Sequence, residues 1–104
     1  MKKILILGTA LLCGFLCRVA AQGVEFRDLT FGQALEQART ENKLVFMDCY
    51  TSWCGPCKNM LKNVFTLPEA GEFMNAHFVC VKYDMEKGEG IGLKKQFAVR
   101  AFPT

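Results

Sequence analysis

The chain holds one histidine, one tryptophan and three prolines in 104 residues. The scarcity of histidine argues against a Cys-His hydrolase. Such an enzyme needs an imidazole placed beside its thiol, and His77 falls at a predicted helix end with no placed partner, so a surface or packing role is expected. A zinc site built on Cys54 and Cys57 needs two further ligands, and no second CxxC pair and no HxxxH follows. There is no GxGxxG spacing, so Gly88, Gly90 and Gly92 read as a connecting loop and not as a phosphate cradle. Internal repeats, low-complexity tracts and a second domain are also missing. Net charge disappears on inspection: the formal +3 comes wholly from Lys2, Lys3 and Arg18, and ten basic and ten acidic side chains remain. That leaves no basic face for nucleic acid.

What is present begins with residues 1–21. Lys2 and Lys3 precede an apolar run from Ile4 to Leu16, and Val19-Ala20-Ala21 is a small-residue pattern before Gln22. This reads as a secretory signal peptide. The run is short for a membrane span of about 20 residues, so a retained N-terminal anchor is the second reading. Cys13 and Cys17 each follow a leucine, which argues against a lipoprotein signal. Residues 22–104 then form the one expected domain and keep four of the six cysteines. Export makes disulfides possible. Cys49 and Cys80 sit inside apolar runs, however, and are expected as buried lone thiols and not as staples.

Val24 to Asp28 alternates like a short edge strand. Phe31, Ala34, Leu35 and Ala38 recur at helical spacing, with Thr30 as N-cap and an end near Asn42. Leu44 to Tyr50, apolar except for Asp48, fits a parallel strand buried on both faces. After a turn at Thr51-Ser52-Trp53, a helix starts at Cys54 with Pro56 in its first turn and Met60, Leu61, Val64 and Phe65 as its apolar face. Thr66 is the expected cap of the next helix, with Pro68 and a capping box through Glu69. Phe78 to Asp84 reads as a strand, Met85 to Gly92 as a loop, Leu93 to Phe97 as a short helix and Ala101 to Thr104 as extended. The order β-α-β-α-α-β-α implies an α/β fold with helices on both faces.

The chemistry concentrates in Trp53-Cys54-Gly55-Pro56-Cys57-Lys58. Two thiols three positions apart can close a small disulfide ring. A helix start favours the thiolate of Cys54, so Cys54 is the expected exposed nucleophile. Cys57, one turn on, is the expected buried partner that attacks a mixed disulfide. Asp48 is an acid inside an apolar strand. Desolvation there raises its pKa and suits it to exchange a proton with Cys57. The alternative is an acid at a strand end bonded to backbone.

The segment Phe46 to Lys58, with Asp48 six positions before Cys54, resembles the thioredoxin superfamily. The tail Val99-Arg100-Ala101-Phe102-Pro103-Thr104 resembles that family's second landmark, an apolar residue followed by a cis-proline and threonine. Glu69, Asn75, Phe78, Asp84 and Met85 resemble secreted bacterial thioredoxin-like domains with an extra helix after the active-site helix. The resemblance spans Val24 to Thr104. It implies a thioredoxin-like α/β fold, incomplete here because the family continues past the cis-proline with two antiparallel strands and a helix. It also implies that Trp53 packs beside the disulfide, that Gly55 and Pro56 shape the motif, that cis Pro103 faces it, and that the Phe102 backbone pairs with an extended substrate. Cys80 is expected near Asp48, where some members place a lysine.

These readings point to a thiol–disulfide oxidoreductase in the periplasm or secreted. The Gly-Pro pair resembles reducing members, so protein-disulfide reduction is expected, with a membrane electron donor to restore the dithiol. No cofactor and no metal is called for, and a monomer is expected. The competing readings are an inactive truncated fragment and a non-catalytic binding module using the Pro103 groove.

Overall fold

Two apolar seven-residue runs pair as parallel strands in the computed structural model, which describes residues 23–104. The expected signal peptide lies outside the described residues. The elements are α1 (Phe31–Glu41), β1 (Leu44–Tyr50), α2 (Gly55–Asn63), α3 (Pro68–His77), β2 (Phe78–Asp84) and α4 (Gly90–Gln96). The register runs from Leu44 opposite Phe78 to Tyr50 opposite Asp84. One residue extends the sheet on each side. Beyond β2, Phe26 forms a parallel bridge to Cys80, and the Arg27 N–H donates to the Cys80 carbonyl at 2.8 Å. Beyond β1, Cys49 and Thr104 exchange both backbone hydrogen bonds, at 2.7 and 3.1 Å.

Strand side chains alternate between faces. One face carries Val45, Met47, Val79, Val81 and Tyr83, and Ala34 and Ala38 of α1 pack on it with Leu29. Towards the C-terminal ends of the strands the same layer continues as Cys49, Met85, Leu93 and Val99, joined by Phe31 and Phe102. The other face carries Phe46 and Phe78. Phe46 meets Phe26 and Phe65, and Phe78 meets Phe73 of α3, with ring centroids 6.1–6.5 Å apart. The expectation that the phenylalanines are core packing holds only in part, since Phe73 and Phe97 are exposed at 57 % and 47 %, while helices cover both faces. Burial of β1 is concentrated at Asp48 and Cys49, while Leu44, at the strand's first position, is 72 % exposed.

The α1 boundaries follow from local chemistry. Thr30 and Gln33 form a reciprocal capping box at 3.1 and 2.9 Å, and Asn42 closes the helix in the left-handed region (φ 58°), which asparagine tolerates. The Glu89 carboxylate adds a long-range cap, accepting the Phe31 N–H at 3.2 Å.

Three expectations change. Val24 to Asp28 is not a strand but a single bridge at Phe26, because other partners take its polar groups. Val24 donates to Phe65 at 2.7 Å, and the Asn75 amide holds both the Glu25 N–H and the Gly23 carbonyl, at 2.9 and 3.1 Å. Thr66 does not cap α3. Its hydroxyl donates back to the Lys62 carbonyl at 2.7 Å, and Leu67 stands at the N-cap without a side-chain bond. The last helix starts at Gly90, earlier than Leu93. Gly88 has φ +52°, and a Cβ on Gly90 would run into the Asp84 backbone, so turn geometry accounts for these two glycines.

The end of α4 aims the tail. The Ala98 and Val99 N–H groups donate to Lys95 and Lys94 carbonyls at 3.2 and 3.0 Å. With Leu93 and Val99 buried in one cluster, this is the Schellman arrangement. Ala98 holds its left-handed position with φ 52°, which costs an L-residue about 1–2 kcal/mol.

Two outcomes follow. Ala98→Gly should stabilise the chain by about 0.5–1 kcal/mol once glycine's greater unfolded freedom is subtracted, measured by urea melts. The second concerns Glu41. It accepts from Arg27 at 2.7 and 3.0 Å and from Gln37 at 2.7 Å, and it pairs with Lys43 at 3.1 Å. The Arg27 bonds above all hold its carboxyl well below the usual range. A depressed native pKa contributes stability that is full above the ordinary value of about 4.3 and is lost as pH falls. Glu41→Gln should therefore lower the urea midpoint at pH 7, and the gap should close on acidification.

Candidate active site

β1 delivers its last residues directly to the redox motif. Thr51, Ser52 and Trp53 turn the chain, and the Cys54 N–H donates to the Thr51 carbonyl at 3.3 Å. Cys54 takes the N-cap position of α2 with extended backbone (φ −82°, ψ 110°), and its sulfur accepts the Cys57 N–H at 3.1 Å. Pro56 lies in the first turn, where the lost N–H has no partner to lose. Cys54 and Cys57 are joined as a disulfide with Cα atoms 5.3 Å apart. The Cys57 N–H that meets the sulfur here, together with the helix dipole, also favours a thiolate there once the bond is opened.

The expected exposure of Cys54 is corrected: it is 3 % exposed, against 2 % for Cys57. Its sulfur is turned inward, bonded to Cys57 and capping the helix. Gly55 has open space around the position of a Cβ, and Gly55 and Pro56 are exposed.

Asp48 is 5 % exposed. Burial raises its pKa, and the nearby Lys82 charge opposes that rise. The expectation of Cys80 near Asp48 is refined by the register: Cys80 pairs with Phe46, and it is Lys82 that stands directly opposite Asp48. Lys82 is the residue that sequence reasoning missed. Its Nζ lies 5.4 Å from the Tyr50 ring centroid, on the face that alternation assigns to Asp48. Among the described residues, Cys49 and Cys80 are free, buried thiols. Burial pushes both upward in pKa, with Asp48 adding to the rise at Cys49.

Trp53 is 64 % exposed yet fixed on two sides. Its ring meets Phe102 edge to face with centroids 6.0 Å apart, and its Nε1 donates to the Glu86 carboxylate at 3.1 Å. Glu86 was not anticipated, since only the fold brings the end of β2 to the turn before Cys54. The Phe102–Pro103 peptide is cis. Thr104 next to it is locked to Cys49, so Phe102 and Pro103 are held at the β1 end that carries the motif. His77 is exposed on α3, with Nδ1 2.8 Å from the Phe73 carbonyl. Among the described residues, no group of three or more His, Cys, Asp and Glu side chains is gathered to hold a metal, and no helix is long and apolar enough to cross a membrane.

A family model of thioredoxin-like DsbH proteins (Thioredox_DsbH, protein of unknown function, DUF255) matches residues 10–100. The chain belongs to this thioredoxin-like family. A candidate disulphide-isomerase from Bacteroides thetaiotaomicron, solved in solution, is 51 % identical, with a TM-score of 0.69 over 80 % of this chain and 69 % of that one. A structure described as DsbH Oxidoreductase shares the fold at 24 % identity, with a TM-score of 0.70 over 83 % of this chain and 65 % of its own. Thioredoxin-2 of Pyricularia oryzae is 31 % identical over 87 residues, which are 84 % of this chain and 47 % of that protein. The chain thus spans about half the length of that curated relative. Membership in the DsbH-like family settles the fold as thioredoxin-like α/β.

Asp48 yields a stability prediction. Because burial raises its native pKa, its contribution is full below the ordinary Asp value of about 3.9 and is lost as pH rises through the native one. Asp48→Asn should stabilise the chain at pH 7 by on the order of 1 kcal/mol, and the difference should vanish in acid, as read by urea melts across pH.

Proposed function

We propose that the chain is a thiol–disulfide oxidoreductase that reduces protein disulfides through Cys54 and Cys57. The observation that carries this reading is the pairing of the two cysteines across the first turn of α2, with Cys54 at its N-cap. In the reduced form the Cys54 thiolate attacks one sulfur of a substrate disulfide. The substrate's S–S bond breaks, a mixed disulfide forms, and the other substrate sulfur leaves as a thiolate that takes a proton. Cys57 then gives its proton to Asp48 and attacks the Cys54 sulfur. The substrate departs with two electrons gained, and the Cys54–Cys57 disulfide remains. A buried acid with an elevated pKa suits that proton acceptance, and Lys82 opposite it moderates the elevation.

The substrate is an extended, disulfide-containing polypeptide. It lies along Phe102 and Pro103, with Trp53 as the apolar flank. The signal-like residues 1–21 favour the periplasm or secretion, and the Gly-Pro pair favours the reducing direction. In an oxidising compartment a membrane electron donor must restore the dithiol. A non-catalytic binding module using the Pro103 groove is the other class of function. The names of the relatives, a disulphide-isomerase candidate and thioredoxins, support the enzyme.

Insulin reduction with dithiothreitol as electron source tests this. Cys54→Ser should fall to the uncatalysed background, and Asp48→Asn should slow turnover by about 10-fold or more. Cys57→Ser should collect substrate as stable mixed disulfides, which a binding module would not do. Wild-type activity in Cys54→Ser would sink the proposal.

A further inference from the structure

The five threonines of the described region divide sharply. Thr30, Thr40, Thr66 and Thr104 are exposed, and each hydroxyl has a backbone partner: the Gln33 N–H, and the Glu36, Lys62 and Ala101 carbonyls. Thr51 is 1 % exposed, and its Oγ1 is a buried polar atom without a hydrogen-bond partner among the described residues. A buried hydroxyl left unpaired costs about 1–3 kcal/mol. Thr51 stands where that cost acts on the redox pair. Its carbonyl accepts the Cys54 N–H at 3.3 Å, closing a turn that keeps the two Cα atoms within about 7 Å. Thr51, Asp48, Cys54 and Cys57 are all at most 5 % exposed, so the end of β1 and the redox motif bury all four within residues 48–57.

Between the two redox states the atoms that change are the sulfurs. In the disulfide each is bonded to the other and is a weak acceptor. On reduction they separate to non-bonded distance, and a thiolate is a strong, charge-assisted acceptor. We propose that Thr51 is a redox-tuning residue whose hydroxyl is unpaired in the disulfide form and donates to a cysteine sulfur in the dithiol form. Both halves raise the reduction potential: the oxidised state carries an orphan donor, and the reduced state gains a hydrogen bond. This rests on the dithiol chemistry proposed above and adds a residue that touches neither proton transfer nor substrate.

The test equilibrates the full chain with glutathione. Two glutathione thiols become one glutathione disulfide. Their two electrons break the Cys54–Cys57 bond, and their two protons go to its sulfurs, one leaving to solvent where Cys54 is a thiolate. The reduced fraction is read by alkylation and mass. Thr51→Val, which keeps the shape without the hydroxyl, should be reduced about tenfold less favourably, a shift of about 30 mV to more negative potential. Thr51→Ser should stay at the wild-type value, and the oxidised Thr51→Val chain should have a raised urea midpoint. If Thr51→Val does not fold, Thr51→Ala carries the same expectation for the potential. A wild-type potential in the hydroxyl-free variant, or equal shifts for Val and Ser, overturns the inference and leaves the oxidoreductase reading standing. A wild-type pair that does not exchange with glutathione overturns both.

Discussion

The two backbone hydrogen bonds between Cys49 and Thr104 are the constraint on which the site depends. Cys49 is the neighbour of Asp48 on β1, and Thr104 is the neighbour of Pro103. Joining them sets the proline segment against the strand that leads into the cysteine motif. Everything upstream serves that closure. The Schellman turn at Ala98 sends the chain out of α4 in the right direction, and the Leu93–Val99–Cys49–Met85 cluster keeps α4 on the sheet. Two hydrogen bonds are modest alone, about 1 kcal/mol each. They are supported by the apolar layer, which contains Cys49 itself and packs Phe102, two residues before Thr104.

The site is also where the fold gives up stability. Val79 and Val81 are fully buried apolar residues, while at the far end of the sheet Asp48 and Thr51 are buried polar groups. One has its ionisation opposed by burial, and the other lacks a hydrogen-bond partner among the described residues. They lie in the stretch of chain that leads into the redox pair, and not within the layer under α1, which accords with the proposed function. Perturbed polar groups of this kind cluster at functional sites.

Elements governed by neighbours within one helical turn or one strand were legible in the sequence. Thr30 capped α1 as its side chain predicts, Asn42 ended it, Pro56 entered α2, and the apolar runs became β1 and β2. The misreadings came where two local options compete or where distant segments meet. The Thr66 hydroxyl had two backbone groups in reach, and the carbonyl of the preceding helix won over the N–H of the next. Cys54 is buried because its sulfur turns in to cap α2 and bond Cys57, which position alone does not show. Lys82, not Cys80, faces Asp48 because the register depends on how α2 and α3 return the chain to the sheet. Glu86 became a partner of Trp53 by the same route.

The sequence by itself determined the chemistry. The cysteine spacing, the helix start and the buried acid act over a few residues, and their physics is local. Tertiary structure decided which groups surround that chemistry: the lysine opposite the acid, the carboxylate on the tryptophan, the tail closed onto Cys49 and the threonine hydroxyl left without a partner. The first three are contacts between segments far apart in the chain, and the fourth follows from the burial that those contacts bring. Such contacts form only after apolar burial has packed helices onto both faces of the sheet and brought those segments together.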